Sequence, residues 1–218
     1  MTNYGRVKRK CHKCKKTCSV ICLVSTNAFG SSDLDSRPPP MKRDTMIAWI
    51  ERCEHCGYCA KNIEEENRIT LEFIQSAEYQ NLLHNDQLPE LCISFLCWAK
   101  CAEEIKEYGE AVMAYVNASW VCDDHFSPNS QQSVEQRLKA IDSMKKAHNN
   151  NQTAMSQLKE DKLLLLDLYR RTEQFDLCIS TAKNNFDLNG NDFLEKIAAY
   201  QIKLCNSQDK DVHSIGEI

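Results

Sequence analysis

Two Cys-x-x-Cys pairs are the strongest chemical signal in this sequence. They are Cys11/Cys14 and Cys53/Cys56, and Gly57 directly follows the second pair. A Cys-x-x-Cys turn can bring two thiolates onto one ion, and structural zinc takes four such ligands in a tetrahedron. A glycine in this position suits a turn whose backbone requires a positive φ. The sequence therefore predicts one structural Zn²⁺ ion held by these four cysteines.

Other uses of these cysteines remain open from spacing alone. Iron in a site of four thiolates uses similar turns, and a disulfide cluster is a further alternative. Seven of the thirteen cysteines lie between positions 11 and 59, and clustered cysteines without an export signal favour metal ligands over disulfides. Cys18, Cys22 and Cys59, together with His12 or His55, could replace a ligand or form a second site. We interpret the three extra cysteines as core thiols and the two histidines as exposed.

The composition describes the chain that must position these ligands. At 218 residues, with 42% hydrophobic and 27% charged residues, it belongs to the globular class and can bury a core. Only six glycines and five prolines are present, which favours helix. A net charge of −4 argues against a global nucleic-acid binder. No apolar run approaches the roughly 20 residues of a membrane span, and no export signal follows the basic N-terminus. We therefore expect a cytoplasmic protein without a membrane partner.

The order of these signals predicts three parts. Residues 1–61 would form a zinc-ribbon-like domain with a basic arm and a Pro-rich loop, residues 62–205 a helical domain, and residues 206–218 a flexible tail. The apolar segment Met46–Arg52 predicts a short strand leading into the second cysteine pair. The predicted fold class is mainly α, with a small N-terminal β zinc ribbon followed by an α-α superhelix.

Apolar residues at helical spacing fill the second part of the chain. They predict a helix over Ile69–Leu83 and helices marked by Leu91–Ile105, Ala111–Cys122, Val134–Met144, Leu158–Tyr169, Phe175–Phe186 and Phe193–Leu204. Ser130 or Ser133 would cap the helix that contains Val134. The short connections around Lys106 and Glu173 favour helical hairpins that fold back on themselves.

Two of these hairpins match the tetratricopeptide pattern. Tyr108-x-x-Ala111 and Phe175-x-x-Cys178 occupy equivalent positions in their hairpins. Their separation along the chain is close to twice the tetratricopeptide period of about 34 residues, so about one degenerate repeat would lie between them. Stacked hairpins build a continuous core and a groove, and we expect a protein or peptide partner in that groove. Trp98, Tyr108 and Phe175 are expected to be packing residues.

A third candidate site is the run Asp123-Asp124-His125. These three side chains could bind a metal ion, but acidic residues also cap turns frequently. We interpret the run as a turn with capping acids.

Two stretches resemble a family of uncharacterised bacterial proteins. The first runs from Ser36-Arg37-Pro38-Pro39-Pro40 through Trp49-Ile50-Glu51-Arg52 to Cys53-Glu54-His55-Cys56-Gly57-Tyr58. The second comprises Glu78-Tyr79-Gln80…Pro89 and Ala118-Ser119-Trp120-Val121-Cys122-Asp123-Asp124. The resemblance implies a Cys-x-x-Cys-Gly zinc ribbon followed by tetratricopeptide-like helices, and no activity. The three extra cysteines depart from the family pattern.

Three classes of function fit these observations. The leading hypothesis is a non-enzymatic adaptor, since no Gly-rich phosphate loop, Gly-x-Ser-x-Gly or His-Glu-x-x-His motif is present. Nucleic-acid binding through the ribbon is the first alternative, carried by Lys8, Arg9, Lys10, Lys13, Lys15 and Lys16. A thiol redox or metal-dependent enzyme is the second, and it is disfavoured because four cysteines saturate zinc and no βαβ pattern surrounds either pair.

Overall fold

A computed structural model describes all 218 residues of the chain. It is mainly α, with two small two-stranded sheets near the N-terminus. This confirms the predicted fold class at the level of a mainly helical protein with a small N-terminal β region. No helix combines the length and apolar character needed to cross a bilayer.

The N-terminal residues form two antiparallel hairpins. Strands β1 (Asn3–Lys10) and β2 (Thr17–Ser25) make the first, and β3 (Glu51–Arg52) and β4 (Cys59–Ala60) make the second. The arm expected at the N-terminus is therefore a β-strand. The prediction of a strand over Met46–Arg52 is wrong for most of that segment. A 3₁₀ helix covers Arg43–Ala48, and only Glu51 and Arg52 lie in a strand, β3.

Eight α-helices follow these hairpins. They are α1 (Leu71–Ile74), α2 (Ala77–Leu83), α3 (Glu90–Glu104), α4 (Tyr108–His125), α5 (Gln131–Asn149), α6 (Leu158–Arg171), α7 (Phe175–Asn185) and α8 (Phe193–Asn206). The single helix predicted over Ile69–Leu83 is two, because the side chain of Ser76 accepts the amide of Tyr79 and starts α2 there. Of the two predicted caps for α5, Ser130 and Ser133, the structure shows Ser130, whose side chain accepts the amide of Ser133.

The two tight turns of the helical part have the same geometry. Lys106 follows α3 and Glu173 follows α6, with φ values of 62° and 61°. In the first turn the amide of Glu107 donates to the carbonyl of Ala102, and in the second the amide of Gln174 donates to the carbonyl of Tyr169, both at 2.8 Å. These bonds satisfy carbonyls at the helix ends and fold α4 back on α3 and α7 back on α6.

A single long helix, α5, and the loop 150–157 separate these two hairpins. The loop seals the start of α4, since the side chain of Gln152 accepts the amides of Tyr108 and Gly109. A β-carbon on Gly109 would lie 2.2 Å from the carbonyl oxygen of Thr153, so only glycine permits this approach. Consecutive helices from α3 to α8 pack on one another.

One buried hydrophobic cluster extends from Cys11 to Cys205. It therefore includes residues of both the β hairpins and the helices. The last residues also pack against the N-terminal part. Asp33 pairs with Ser214 in an isolated bridge, and the carbonyl of His213 accepts the amide of Leu34. The predicted flexible tail, residues 206–218, thus includes residues that contact the N-terminal part.

Candidate metal centre

The two Cys-x-x-Cys pairs lie in the turns of the two β hairpins. Cys11 and Cys14 lie between β1 and β2, and Cys53 and Cys56 lie between β3 and β4. Their four sulfur atoms are all within 4.8 Å of one another. The structure therefore brings together all four predicted ligands, which could hold one metal ion.

Both turns have the same backbone geometry. The amides of Lys15 and Gly57 donate to the carbonyls of Cys11 and Cys53, each at 2.9 Å. Lys15 and Gly57 have φ values of 62° and 77°, in the left-handed region that favours glycine. Only the second turn carries the glycine. A β-carbon on Gly57 would lie 2.2 Å from Cδ2 of Leu83, so a larger residue in this turn would also force the Leu83 side chain on α2 to move.

Two of the sulfur–sulfur distances match a tetrahedral thiolate site. Sγ of Cys11 lies 3.8 Å from Sγ of Cys56, and Sγ of Cys14 lies 3.6 Å from Sγ of Cys53. Zinc–sulfur bonds of about 2.3 Å place tetrahedral ligands about 3.8 Å apart. A disulfide requires an S–S distance of about 2.05 Å, and all thirteen cysteines are free thiols. The disulfide alternative therefore does not describe this cluster.

Backbone amides stabilise negative charge on the sulfurs. Burial acts to raise the pKa of the Cys53 thiol, but amide hydrogen bonds from Cys56 and His55, together with the thiols of Cys56 and Cys14, lower that pKa to about 7. Burial raises the pKa of Cys11 despite amides of Cys14 and Lys13 that act in the opposite direction. Amides aimed at sulfur are what a thiolate ligand requires, and a bound cation would ionise a coordinating thiol outright.

The additional cysteines do not join the centre, which is the only group of three or more clustered ligand side chains. Cys18 is buried and donates to the carbonyl of Arg9, and Cys59 is buried and donates to the carbonyl of Gly57. Nε2 of His55 lies 3.2 Å from the carbonyl oxygen of Thr17. The structure gathers no second site from these residues.

The run Asp123-Asp124-His125 forms the last turn of α4 and is not a separate turn. The Asp124 carboxylate pairs with Arg37, and the ring of His125 stacks edge-on against Phe126. Asp123 is buried, and its Oδ1 accepts the amide of Asn129. Asp123 therefore caps the segment that follows the helix. The run contains a capping acid, as predicted, but it is helical and does not form a turn of its own.

Asp123 also belongs to a buried ion cluster that the sequence patterns do not predict. Its carboxylate pairs with the guanidinium groups of Arg137 and Arg171, the latter at 3.0 Å. The second carboxylate of the cluster, Asp35, lies 3.8 Å from Arg171 and accepts Nε1–H of Trp120 at 2.7 Å. Two acidic and two basic side chains are thereby buried together with balanced charge.

This ion cluster connects four distant segments. Asp35 comes from the Pro-rich loop, Asp123 from α4, Arg137 from α5 and Arg171 from α6. Burial acts to raise the pKa of Asp123, but Arg137 and Arg171 outweigh it and hold that pKa below its usual value. Burial, together with the nearby Asp167 carboxylate, raises the pKa of Asp35, although Arg171 and Arg137 act to lower it. The cluster fixes the loop between the two β hairpins onto the helices.

A faint sequence signal for the cluster does exist. Leu138 lies among the apolar positions of Val134–Met144 that mark α5 in the sequence, but 46% of Leu138 is exposed. The buried face instead contains the small residues Ser133, Ala140 and Ala147 at heptad spacing, with Arg137 between the first two. Small residues at that spacing indicate close helix packing, which leaves Arg137 no route to solvent.

Comparisons with protein-family models, with curated proteins and with solved structures each gave no match. The likeness to a bacterial zinc-ribbon family therefore rests on the sequence stretches alone.

Proposed function

We propose that the protein binds one structural Zn²⁺ ion through Cys11, Cys14, Cys53 and Cys56. The observation that carries this proposal is that two matched turns bring four sulfurs within 4.8 Å of one another, with two pairs at the spacing of tetrahedral thiolates. Zinc suits four thiolates in a closed structural site. Iron could occupy similar turns, and its coloured thiolate complex would distinguish it.

The proposed role of the ion is structural. Four protein ligands complete the zinc coordination shell, which leaves no position for an activated water. Each turn supplies two ligands, so the ion would join the hairpins β1–β2 and β3–β4. We therefore propose a non-enzymatic protein in which residues 1–61 form the metal-binding part and residues 62–205 the helical part.

Cobalt substitution tests the ligand set. Cobalt(II) in place of zinc should give the intense visible absorption of tetrahedral thiolate coordination, with one ion per chain. A Cys53→Ser variant should weaken or lose this spectrum. Cys22→Ser is the matched control, because Cys22 lies on β2 outside the cluster. A spectrum lost equally in both variants, or absent from the wild type, contradicts the proposal.

We further propose that the helical hairpins bind a protein or peptide partner, which makes the protein an adaptor. Two hairpins share the same turn geometry, as tetratricopeptide-like units would. Large apolar side chains are also about half exposed on the helices, namely Leu138, Leu158, Leu177 and Phe193. On α7 only Cys178 and Ala182 are buried, so most of this helix faces outward. Exposed apolar side chains of this kind would give a partner apolar area to bury on binding.

The interaction is tested by capture from a native lysate with matched surface variants. The wild type should enrich a reproducible protein that Leu177→Asp and Phe193→Asp together lose. Ser180→Asp, an exposed polar position on the same helix α7, is the control and should retain it. Failure of the wild type to enrich any reproducible partner, or equal retention by all variants, argues against binding through this surface.

A further inference from the structure

The charge of this protein is strongly segregated along the chain. The segment 1–25 contains seven basic side chains and no acidic one. The rest of the chain contains the other 20 of the 27 basic side chains and all 31 acidic ones. All seven basic residues of the first segment lie in the β1–β2 hairpin or its turn. A protein with a net charge of −4 therefore carries one markedly positive element.

The strand alternation of β1 separates these basic side chains by role. Arg9 points inward and pairs with Glu51 and Glu64. Arg6, Lys8 and Lys10 are exposed on the opposite face, and their side chains belong to no salt bridge. The carboxylate of Glu64 also accepts the backbone amide of Lys10, but Glu64 forms its salt bridge with Arg9 and not with the Lys10 side chain.

The residues opposite these three cations do not neutralise them. Their partners across the hairpin are Ile21, Ser19 and Thr17, none of which is acidic. Lys15 and Lys16, in the turn of the metal centre, are also exposed, and neither has an ion-pair partner. We name this set of five cations, Arg6, Lys8, Lys10, Lys15 and Lys16, the ribbon face.

We propose that the ribbon face binds duplex DNA through its backbone phosphates. Alternate residues of a strand lie about 6.8 Å apart, which is twice the rise of about 3.4 Å per nucleotide along one DNA strand. A two-stranded ribbon also fits the major groove, which is about 12 Å wide. Arg6, Lys8 and Lys10 would then follow the phosphates at a matched interval, and Lys15 and Lys16 would extend the contact at the tip.

The absence of stacking groups favours a duplex over a single strand. Proteins that hold single strands stack bases on aromatic side chains. The one aromatic residue of β1 and β2 is Tyr4, and its hydroxyl donates to the carbonyl of Asp44 at the far end from the metal centre. The face thus supplies charge without a stacking platform, and its contacts would carry little sequence information.

The salt dependence of DNA binding tests this proposal. Anisotropy of a labelled mixed-sequence duplex of about two helical turns is measured with the zinc-loaded full chain between about 50 and 200 mM salt. Five phosphate contacts predict a log–log slope of about −4.5, or a roughly 500-fold loss of affinity across this range. Combined Arg6→Gln, Lys8→Gln and Lys10→Gln substitutions should reduce the slope to about −1.8, because each lost contact removes about 0.9.

The matched control removes the same charge from the helices. Lys145, Lys183 and Lys196 are exposed and belong to no salt bridge, so their combined change to Gln should leave the slope unchanged. Retained zinc and helical circular dichroism establish that both variants fold. No binding at low salt, an equal loss in the control, tighter binding of single strands, or equal binding of a poly-glutamate peptide would each overturn the proposal.

Discussion

Two polar clusters hold distant parts of this chain together, and they differ in how their partners reach each other. The thiol cluster joins two hairpins, and each half is a local Cys-x-x-Cys turn. The ion cluster of Asp35, Asp123, Arg137 and Arg171 draws each member from a different segment. A ligand set built from local turns can be read from sequence, whereas an ion cluster assembled by tertiary packing cannot.

The clusters should also differ in what they contribute to stability. A structural metal binds the folded state and so adds its binding free energy to folding. A buried ion cluster gains little over apolar residues of the same volume, yet removal of one partner leaves an uncompensated buried charge. Metal removal and substitution within the ion cluster separate these two cases.

Metal removal should have the largest effect. Excess chelator, or Cys53→Ser, should lower the free energy of unfolding by more than about 5 kcal/mol, since zinc binds structural sites of small domains with about 10–16 kcal/mol. Amide hydrogen exchange should accelerate throughout β1 and β2 and less in α6. Unchanged protection of β1 and β2 after metal removal would mean that packing alone holds the hairpins.

Two neighbouring aspartates provide the sharpest test of the ion cluster. Asp123→Asn should cost about 3–5 kcal/mol, because Arg137 and Arg171 lose their buried counter-charge. Asp124→Asn should cost less than Asp123→Asn, because the Asp124 side chain is 59% exposed and only one buried guanidinium, that of Arg37, loses its partner. Urea unfolding of the two variants checks this, and equal losses would refute a special role for the buried member.

The buried Asp123 carboxylate also predicts a pH dependence of stability. The folded pKa of Asp123 lies below its usual value, so the unfolded chain binds more protons in that range. The stability from this carboxylate is therefore fully present above about pH 4 and is lost as pH falls through the folded pKa. The difference in unfolding free energy between wild type and Asp123→Asn should shrink below about pH 4. A difference that stays constant down to about pH 2 would contradict this pKa direction.

The two metal turns provide the smallest expected effect. Lys15 has a positive φ without being glycine. Lys15→Gly should therefore stabilise the protein by about 0.5–1 kcal/mol, because relief of left-handed strain outweighs the extra entropy that glycine loses on folding. Gly57→Ala should destabilise it by at least as much, because its new β-carbon would meet Leu83. Thermal unfolding of both metal-loaded variants measures the contrast. A stabilising Gly57→Ala would show that the two turns are not constrained as the structure indicates.

Sequence patterns predicted the parts of this structure that depend on local chemistry. The four clustered cysteines, the mainly helical class and the tight connections between helices follow from spacing and turn chemistry. The strand β1 was not predicted, because its outward positions are basic and its inward positions, Gly5, Val7 and Arg9, do not form an apolar pattern. The burial of Arg137 was not predicted, because a charged side chain normally indicates an exposed position. Its environment is set by α4 and α6, which a single helix pattern cannot reveal.

Zinc content measured on the purified native chain tests the central claim most directly. Elemental analysis combined with a thiol count should find one zinc ion per chain and, after chelation and unfolding, all thirteen cysteines as free thiols. Cys53→Ser should contain substantially less zinc, and Cys22→Ser should keep one ion. A metal-free native protein with fully reduced thiols, or cysteine pairs joined as disulfides, would contradict the account.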